Sequence, residues 1–472
     1  MARKTIRIGN GAGFWGDNLD APVALAEASP LDYLTLEYLA ELTLSILAHL
    51  KARDPAAGYV SDFALILPRL ARVLAVQPQL KIVTNAGGMN PIACARAAAR
   101  ILAAQGLDGI SIAAVAGDDL APHLAAHQAA GEMFANLDTG QALSDLGAPL
   151  ASANAYLGGG GIATALAQGA RVVITGRVAD ASLTVGPAVY EFGWNWTDHK
   201  RLAAATVAGH LIECGAQVSG GMFSGWTDAL PLADVGYPIA ELTDDGGVVI
   251  TKPARTGGAV TVPTVAEQLI YEIGDPTHYL TPDLDADFSQ VQLSQIGADR
   301  VAVTGAAGGP APPRYKVSAA WRDGFLGAAT LVLCGDHAEH KARAAADLIF
   351  ARLRRAGAMP RRTHVECLGT GDTLPGVWPR TGDAREVVLR IAAHDTACET
   401  IERFLREFSP LVGSGPPGVT GYTGPRPKPY PVFAYWPSSI ARERVVPEVF
   451  VHAARDWLAG APADHASTGV TP

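Results

Sequence analysis

The chain has 472 residues, of which 49% are hydrophobic and 18% are charged. This length exceeds what one hydrophobic core usually serves, and the hydrophobic share excludes a disordered chain, so we expect two folded domains. The formal net charge of −9 provides no electrostatic footprint for nucleic acid or for an anionic membrane. The 5 cysteines are far apart and include no CxxC pair, which favours neither a disulfide framework nor a zinc ribbon.

The N-terminal segment starts with basic residues but reaches Gly9 and Asn10 before any apolar run long enough for a signal peptide. No stretch of about 18 apolar residues, the length of a membrane span, occurs elsewhere. Together with the isolated cysteines, this pattern predicts a cytoplasmic protein. The apolar composition permits a homo-oligomer, which we also expect.

Strand-like and helical segments alternate along the first part of the chain. Apolar β-rich runs predict strands at residues 5–8, 31–36, 81–84, 110–115 and 171–175. Helical spacing, alanine content or a proline at the start predicts helices from Asp20 onward and at residues 39–53, 92–104, 162–168 and 202–212. This alternation predicts an α/β fold with a mostly parallel, doubly wound sheet. A closed eight-stranded barrel is the alternative.

The pattern changes beyond about residue 282. Strands are predicted at residues 291–296, 301–306, 315–321, 325–333, 365–368 and 386–391, with helices at 336–355 and 396–408. Such a sequence is typical of helices packed on an antiparallel sheet. We therefore predict an α/β domain with glycine-rich ligand loops at 1–284, a smaller α+β domain with an aromatic return segment (432–437) at 285–455, and a disordered tail at 456–472.

The segment Gly11-Ala12-Gly13-Phe14-Trp15-Gly16 matches the dinucleotide-binding pattern GxGxxG directly after a strand, and Glu37 ends the next strand. However, three polar residues separate Gly16 from the start of the helix, and two of them are acidic: Asp17, Asn18 and Asp20. Negative charge there opposes a phosphate at the helix N-terminus. An NAD(P)-dependent oxidoreductase is therefore an alternative function.

Three loops are candidate substrate contacts because their glycines and amides allow a ligand to approach the backbone. Each also has a purely structural interpretation as a turn or a helix cap, which stays open. The candidate substrate-binding residues in these loops are Gly13, Trp15, Asn18, Asn85, Gly87, Gly88, Asn90, Asn154, Gly158, Gly159 and Gly160. The backbone N–H groups of Gly87-Gly88 and of residues 158–161 are candidates for stabilising an oxyanion.

Arg177 and Asp180 lie three residues apart after a predicted buried strand. Arg177 can hold a substrate carboxylate while Asp180 acts as a base, or the two can form an internal ion pair. Asp180 joins two of the acidic residues named above, so the candidate catalytic carboxylates are Asp17, Glu37 and Asp180.

Nucleophilic and metal chemistry have weaker support. Cys214, next to Glu213, and Ser219 lack a histidine placed by the sequence to activate them, so a structural cysteine is preferred. The pair His123 and His127 lacks the glutamate of a zinc protease. We name no metal ligands and no cofactor. If a divalent cation binds, scattered carboxylates including Asp17, Glu37, Asp118, Asp119 and Asp180 are available.

Five segments together resemble the acyclic terpene utilisation AtuA family: RIGNGAGFWGDN, YLTLEYLAELTLSIL, VTNAGGMNP, ANAYLGGGGIATAL and VVITGRVADASLTVGP. The resemblance covers residues 5 to about 455. It implies a role in the catabolism of branched acids as CoA thioesters. It also implies a small domain of about a hundred residues, fused or separate, and because the chain ends without one we expect a separate small subunit.

We therefore expect a lyase that acts on a branched hydroxyacyl-CoA, an enoyl-CoA or a related carboxylic acid, by hydration, dehydration or retro-aldol cleavage. These reactions need an acid and a base around an activated carbonyl. A noncatalytic acyl-CoA-binding or scaffold subunit of a two-component enzyme is a further alternative.

Overall fold

The structure is a computed structural model, and it describes residues 4–377, 384–421 and 425–460. The chain divides into two compact units. Unit 1 comprises residues 1–320 and 435–472, and unit 2 comprises residues 321–434. The predicted domain boundary after residue 284 does not coincide with this division.

The strands in chain order are β1 (Thr5–Asn10), β2 (Tyr33–Leu36), β3 (Lys81–Thr84), β4 (Ser111–Ala116), β5 (Leu150–Ala155), β6 (Val172–Thr175), β7 (Ile239–Thr243), β8 (Val248–Thr251), β9 (Tyr279–Leu280), β10 (Asp285–Asp287), β11 (Gln292–Gly297), β12 (Arg300–Thr304), β13 (Ala307–Gly309), β14 (Arg314–Cys334), β15 (Arg362–Leu368), β16 (Glu386–Asp395), β17 (Val419–Thr420), β18 (Tyr430–Ala441) and β19 (Glu448–Ala453).

The helices are α1 (Ala21–Ala28), α2 (Glu41–Arg53), α3 (Ser61–Val76), α4 (Pro91–Ala104), α5 (Leu124–Ala129), α6 (Gly160–Ala167), α7 (Ser182–Phe192), α8 (His199–Glu213), α9 (Val262–Ile270), α10 (Ala338–Arg355), α11 (Cys398–Arg406), α12 (Leu411–Ser414) and α13 (Ala454–Leu458). Among the described residues, no helix has both the length and the apolar composition needed to span a membrane.

A 10-stranded sheet forms the centre of unit 1, in the order β11-β12-β8-β7-β1-β2-β3-β6-β4-β19. Strands β1, β2, β3, β6 and β4 pair in parallel. Antiparallel strands extend the sheet on both sides, with β7 pairing with β1 and β19 pairing with β4. The fold class is α/β as predicted, but a mostly parallel sheet is not confirmed because the sheet is mixed.

Helices cover this sheet in two groups. Helices α1, α3, α4 and α13 contact one another or the strands, and α6, α7 and α8 form a second contacting group. Every residue of β2 and of β6 is buried, as expected for central strands with both faces covered. The core includes Leu34, Leu36, Leu67, Ile82 and Ile174, contributed by three strands and a helix.

Two strands predicted for the second domain belong to the large sheet instead. Strand β12 pairs with β8, and β11 pairs with β12. Their local sequences are typical of antiparallel strands, and nothing local identifies the sheet that they join.

Unit 2 contains an antiparallel sheet in the order β15-β16-β14-β17, covered by α10 and α11. The runs at 315–321 and 325–333, predicted as two strands, form the single strand β14. Gly324 explains the difference, because it has a φ of +88° and an added Cβ would lie 2.4 Å from the carbonyl oxygen of Asp395. Gly324 is therefore needed because β16 approaches it closely, and the chain continues through it as one strand without a turn.

The C-terminal part returns to unit 1. The predicted aromatic return segment lies in β18. Strand β19, which is not among the predicted strands, forms one edge of the large sheet. The predicted disordered tail overlaps α13, whose Trp457 indole donates to the Ile112 carbonyl at 3.0 Å. Residues 461–472 of that tail lie outside the described residues.

Candidate active site

A cavity of about 480 Å³ lies in unit 1 where the parallel strands end. We call it cavity A. Three consecutive strands of the sheet position its wall: Glu37 follows β2 and Arg177 follows β6, and both line the cavity, while Asn85 follows β3 and holds Glu37. The carboxyl edge of parallel strands is the usual place for ligand sites in α/β folds. Cavity A is lined by Gly13, Phe14, Asp17, Glu37, Leu39, Ala40, Glu41, Arg177, Asp180, Glu213, Cys214, Ala216, Gln217, Gly221, Met222, Tyr237, Tyr271 and Glu272.

Glu37 is a buried carboxyl group with a fixed orientation. The Asn85 side-chain amide donates to both of its oxygens at 2.5 Å, and the Leu39 N–H donates to one of them at 2.8 Å. Asn85 is itself oriented by the Tyr38 N–H, which donates to its Oδ1 at 2.9 Å. Burial raises the pKa of Glu37 well above its ordinary value, and the Asp180 charge adds to this, although Arg177 and Asn85 oppose it.

Arg177 is the cation of this cluster and is only 3% exposed. Its Nη1 donates to the Leu39 carbonyl at 2.6 Å and lies 3.0 Å from Asp180 Oδ1. The guanidinium also lies 4.1 Å from the centre of the Tyr156 ring. Burial raises the pKa of Asp180, with Glu41 and Glu272 adding to the effect against the attraction of Arg177. The predicted Arg177–Asp180 ion pair is therefore present, and it faces the cavity.

A second cavity of about 490 Å³, cavity B, adjoins cavity A. The two share Glu41, Arg177, Asp180 and Glu272 as lining residues. The Tyr156 hydroxyl donates to Glu41 at 2.7 Å, and Lys316 lies 3.1 Å from the same carboxylate oxygen. Burial raises the pKa of Glu41, but these two neighbours outweigh it and lower the value to about 2. Glu41 is thus a permanent anion at the junction of the two cavities.

The third predicted catalytic carboxylate, Asp17, lines cavity A but is occupied by its own loop. It accepts hydrogen bonds from the Gly13 N–H at 2.8 Å, the Asn18 N–H at 2.7 Å and the Tyr237 hydroxyl at 2.5 Å. These bonds fix the conformation of the glycine loop. The Gly13 amide, which a dinucleotide phosphate would use, is therefore already satisfied by a carboxylate.

The other predicted residues of that loop point elsewhere. The Trp15 indole donates to Asp62 at 3.2 Å, and the Asn18 side chain accepts from the Asp20 N–H at 2.9 Å. Neither residue lines cavity A. The glycines serve packing: a Cβ on Gly13 would lie 2.6 Å from the Cys214 backbone, and one on Gly11 would lie 2.8 Å from Pro22.

The loop before α6 is also held by the chain itself. Asp283 is buried and accepts the Gly159 N–H at 2.9 Å and the Ser182 hydroxyl at 2.6 Å. Gly158 and Gly160 line a separate cavity of about 310 Å³. Asn154 donates to Asp118 at 2.8 Å. The structure therefore does not bring this loop to cavity A.

The loop before α4 caps its helix. Asn90 accepts from the Ala93 N–H at 3.3 Å and donates to the Ala57 carbonyl at 2.8 Å. The Gly88 N–H donates to the Asn85 carbonyl at 3.1 Å. A Cβ on Gly87 would lie 2.4 Å from the Thr175 carbonyl oxygen. Of this loop, Asn85 alone supports the wall of cavity A, through Glu37, and the predicted oxyanion amides lie outside it.

The described residues contain no group of three or more His, Cys, Asp or Glu side chains arranged to hold a metal ion. Asp118, one of the scattered carboxylates considered above, instead accepts the Arg177 N–H at 2.9 Å beneath the loop after β6. Burial raises the pKa of the Cys214 thiol, so this cysteine is not an activated nucleophile.

Sequence reasoning missed several residues of the cluster. Glu41 begins α2 and Tyr156 follows β5. Both lie in segments that carry the family resemblance, but neither belongs to a motif that assigns it a chemical role. Glu213 lies beside Cys214 and is not among the candidate site residues predicted from the sequence. The signal that identifies it is a glutamate and a histidine three residues apart in the largely apolar part of α8, residues 202–213.

The fold and the cavity define an α/β protein with a buried carboxyl and arginine cluster at the carboxyl edge of its sheet. The description of the matching family is acyclic terpene utilisation family protein AtuA, and the match covers residues 6–451. The chain belongs to the AtuA family, as its sequence motifs predict. Comparison with curated proteins and with solved structures gives no significant match.

Proposed function

We propose that this chain is a catabolic lyase. It adds or removes water, or cleaves by retro-aldol reaction, at a branched hydroxyacyl or enoyl thioester or a related carboxylic acid. The observation that carries the proposal is the pairing in cavity A of Glu37, whose pKa is raised, with Asp180, which lies beside Arg177. Two carboxyl groups with different environments are the usual means of providing an acid and a base at one pH.

The roles follow from the contacts of each group. Burial favours the protonated form of Glu37, which makes it the acid. Burial raises the pKa of Asp180 as well, but less far than that of Glu37, and Arg177 opposes the increase, so Asp180 ionises more readily than Glu37 and acts as the base. In hydration, Asp180 takes a proton from water as the water oxygen bonds to the β-carbon, and Glu37 gives its proton to the α-carbon. Dehydration is the reverse of these steps.

The charges of the cavity bear on the substrate. Among the described residues that line cavity A, Arg177 is the one Lys or Arg, and it lies 3.0 Å from Asp180 amid further carboxyl groups. A free carboxylate placed there would meet net negative charge, whereas the uncharged carbonyl of a thioester would not. The thioester is therefore the preferred form. The family description, which names acyclic terpenes, supports a branched acyl chain.

The test is the hydration of 3-methylbut-2-enoyl-CoA, followed by loss of enoyl absorbance and by a mass gain of one water. We expect Glu37→Gln and Asp180→Asn each to lower kcat by about 10²–10⁴-fold, the range for general acid–base groups. Asp20→Asn is the matched control, because Asp20 is exposed and pairs with Arg69 outside the cavity. Wild-type kcat in both cavity variants would contradict the proposal.

We also propose that the chain acts in the cytoplasm as a homo-oligomer together with a separately encoded small subunit. Its free cysteines support a reducing compartment. The small subunit is what the family resemblance implies. Co-purification of a small subunit from the source cells, followed by native mass spectrometry, is the measurement. Isolation of a monomer without a partner would contradict it.

A further inference from the structure

The C-terminal turn of α8 carries a buried histidine and glutamate whose contacts fix a proton between them. His210 is 1% exposed and Glu213 is 7% exposed. The His210 ring packs against Tyr279 and Phe288, with its centroid 5.5 Å from that of each, and these two rings also contact each other at 5.0 Å. The imidazole therefore has one fixed orientation in an apolar environment.

The hydrogen bonds determine which atoms carry protons. His210 Nε2 lies 3.0 Å from the Gln268 carbonyl oxygen and 3.3 Å from that of Leu269. Carbonyl oxygens only accept, so Nε2 carries a hydrogen. His210 Nδ1 lies 3.1 Å from Glu213 Oε1, and this contact needs one further proton, on either the nitrogen or the oxygen. The pair thus holds one exchangeable proton.

The second carboxyl oxygen of Glu213 is not used by the described part of the protein. Glu213 lines cavity A, and its Oε2 is buried without a hydrogen-bond partner among the described residues. A buried polar atom without a partner is rare in folded proteins. Its place in the wall of a cavity points to a ligand atom as the missing partner.

We propose that Glu213 is a third proton-transfer group of cavity A, that its free oxygen faces the bound ligand, and that His210 is its positioning residue. This inference rests on the proposed acid–base function. In the transfer, Oε2 of the Glu213 carboxylate takes a proton from an oxygen of the ligand, while Oε1 stays hydrogen-bonded to His210 Nδ1–H. Return of this proton to the ligand or to water restores the pair.

The charged surroundings agree with a group that changes protonation near neutral pH. Burial raises the pKa of Glu213 to about 7 in spite of the bond with His210, and Asp180 and Glu272 add to the increase. Burial alone lowers the pKa of His210, but Glu213 and the two carbonyl groups raise it above its ordinary value. Cys214, Tyr271 and Tyr279 are further titratable neighbours, and the pKa of each is raised.

The first test does not depend on the substrate. The ¹⁵N NMR titration of His210 is followed in the wild type, in Glu213→Gln and in Cys214→Ser, a control on the next residue of the same wall. We expect Glu213→Gln to lower the midpoint of the His210 titration by at least about one pH unit, because the burial penalty is no longer opposed by an anion. Cys214→Ser should leave it unchanged. Equal His210 titration midpoints in the wild type and in Glu213→Gln would overturn the proposed coupling of His210 to Glu213.

The second test examines access from the cavity in the wild-type protein. A water-soluble carbodiimide with glycinamide at about pH 6.5 labels protonated carboxyl groups, and peptide mass spectrometry measures each site. Glu407 is the internal control, because it is 3% exposed but paired with Arg403. We expect Glu213 to label at least about 10-fold more than Glu407. Equal labelling would overturn the proposal, whereas a failure of thioester hydration alone would refute the proposed function and not this pair.

Discussion

At the scale of single residues, Glu37 is a carboxyl group held in conditions that oppose its charge. It is 4% exposed, and the Asn85 amide holds both of its oxygens. An acid whose pKa is higher in the folded state than in the unfolded state binds more protons when folded. The stability that Glu37 contributes is therefore present at low pH. It is lost as the pH rises from the pKa of this group in the unfolded state toward its pKa in the folded state. A functional group that destabilises its own fold at neutral pH is typical of catalytic sites.

The corresponding prediction concerns Glu37→Gln. The neutral amide has no charge to bury, so we expect the variant to gain stability relative to the wild type as pH rises from 5 to 8. The gain is about 1.4 kcal/mol for each pH unit by which the folded pKa exceeds the unfolded value. Thermal unfolding by calorimetry at both values of pH measures it. A difference that does not change with pH would show that Glu37 is ionised normally in the folded protein.

The residue scale also shows what a sequence can identify at this site. Arg177 and Asp180 are predicted because they follow a buried strand, and Glu37 because it ends the strand after the GxGxxG pattern. Asp17 and the loop glycines also follow strands, but they bond within the protein. Asp17 accepts a hydrogen bond from the Gly13 amide, and Asp283 accepts one from the Gly159 amide. A loop that binds a ligand and a loop that binds its own carboxylate have the same local sequence. Only tertiary contacts distinguish them.

At the scale of secondary structure, local patterns identified most elements that follow one another as strand, loop and helix. The predicted strand at residues 81–84 coincides with β3, and the helix start at Asp20 is the N-cap of α1. The pairing of β12 with β8 and of β19 with β4 could not be predicted, because these partners lie far apart in the chain. Strand β11 joins the sheet through β12, its neighbour in the chain. Hydrophobic alternation specifies a strand but not its neighbour.

Close helix packing yields a prediction at this scale. Gly209 lies inside α8, and an added Cβ would lie 2.7 Å from the carbonyl oxygen and 2.8 Å from the Cα of Ala181. Alanine normally stabilises a helix interior by about 1 kcal/mol relative to glycine. Here we expect Gly209→Ala to destabilise the protein by about 1–3 kcal/mol, because rigid backbone must move.

Gly109→Ala is the control for this variant, since the nearest atom to its added Cβ is the end of the Arg455 side chain, 4.0 Å away. We expect it to change stability by less than about 0.5 kcal/mol. Denaturant unfolding of both variants measures the difference. A stabilised Gly209→Ala would mean that α8 can shift, and with it His210 and Glu213.

At the scale of the whole molecule, strand order creates the site. Residues 37, 85 and 177 are far apart in sequence, but β2, β3 and β6 are consecutive in the sheet, so their ends meet. The end of α8 then adds Glu213 to the same cavity. The fold thus places one arginine among several carboxyl groups in a shared cavity, and this is the arrangement from which the lyase function is inferred.

The most direct test of acid–base chemistry in cavity A is exchange of solvent deuterium into 3-hydroxy-3-methylbutanoyl-CoA in D₂O, measured by mass spectrometry. Reversible dehydration and reversible retro-aldol cleavage both place deuterium on the α-carbon. We predict incorporation with the wild-type protein and a rate at least about 100-fold lower with Glu37→Gln and Asp180→Asn. Absence of deuterium with the wild type, or equal rates in the variants, would contradict the assignment of this cavity as a lyase site.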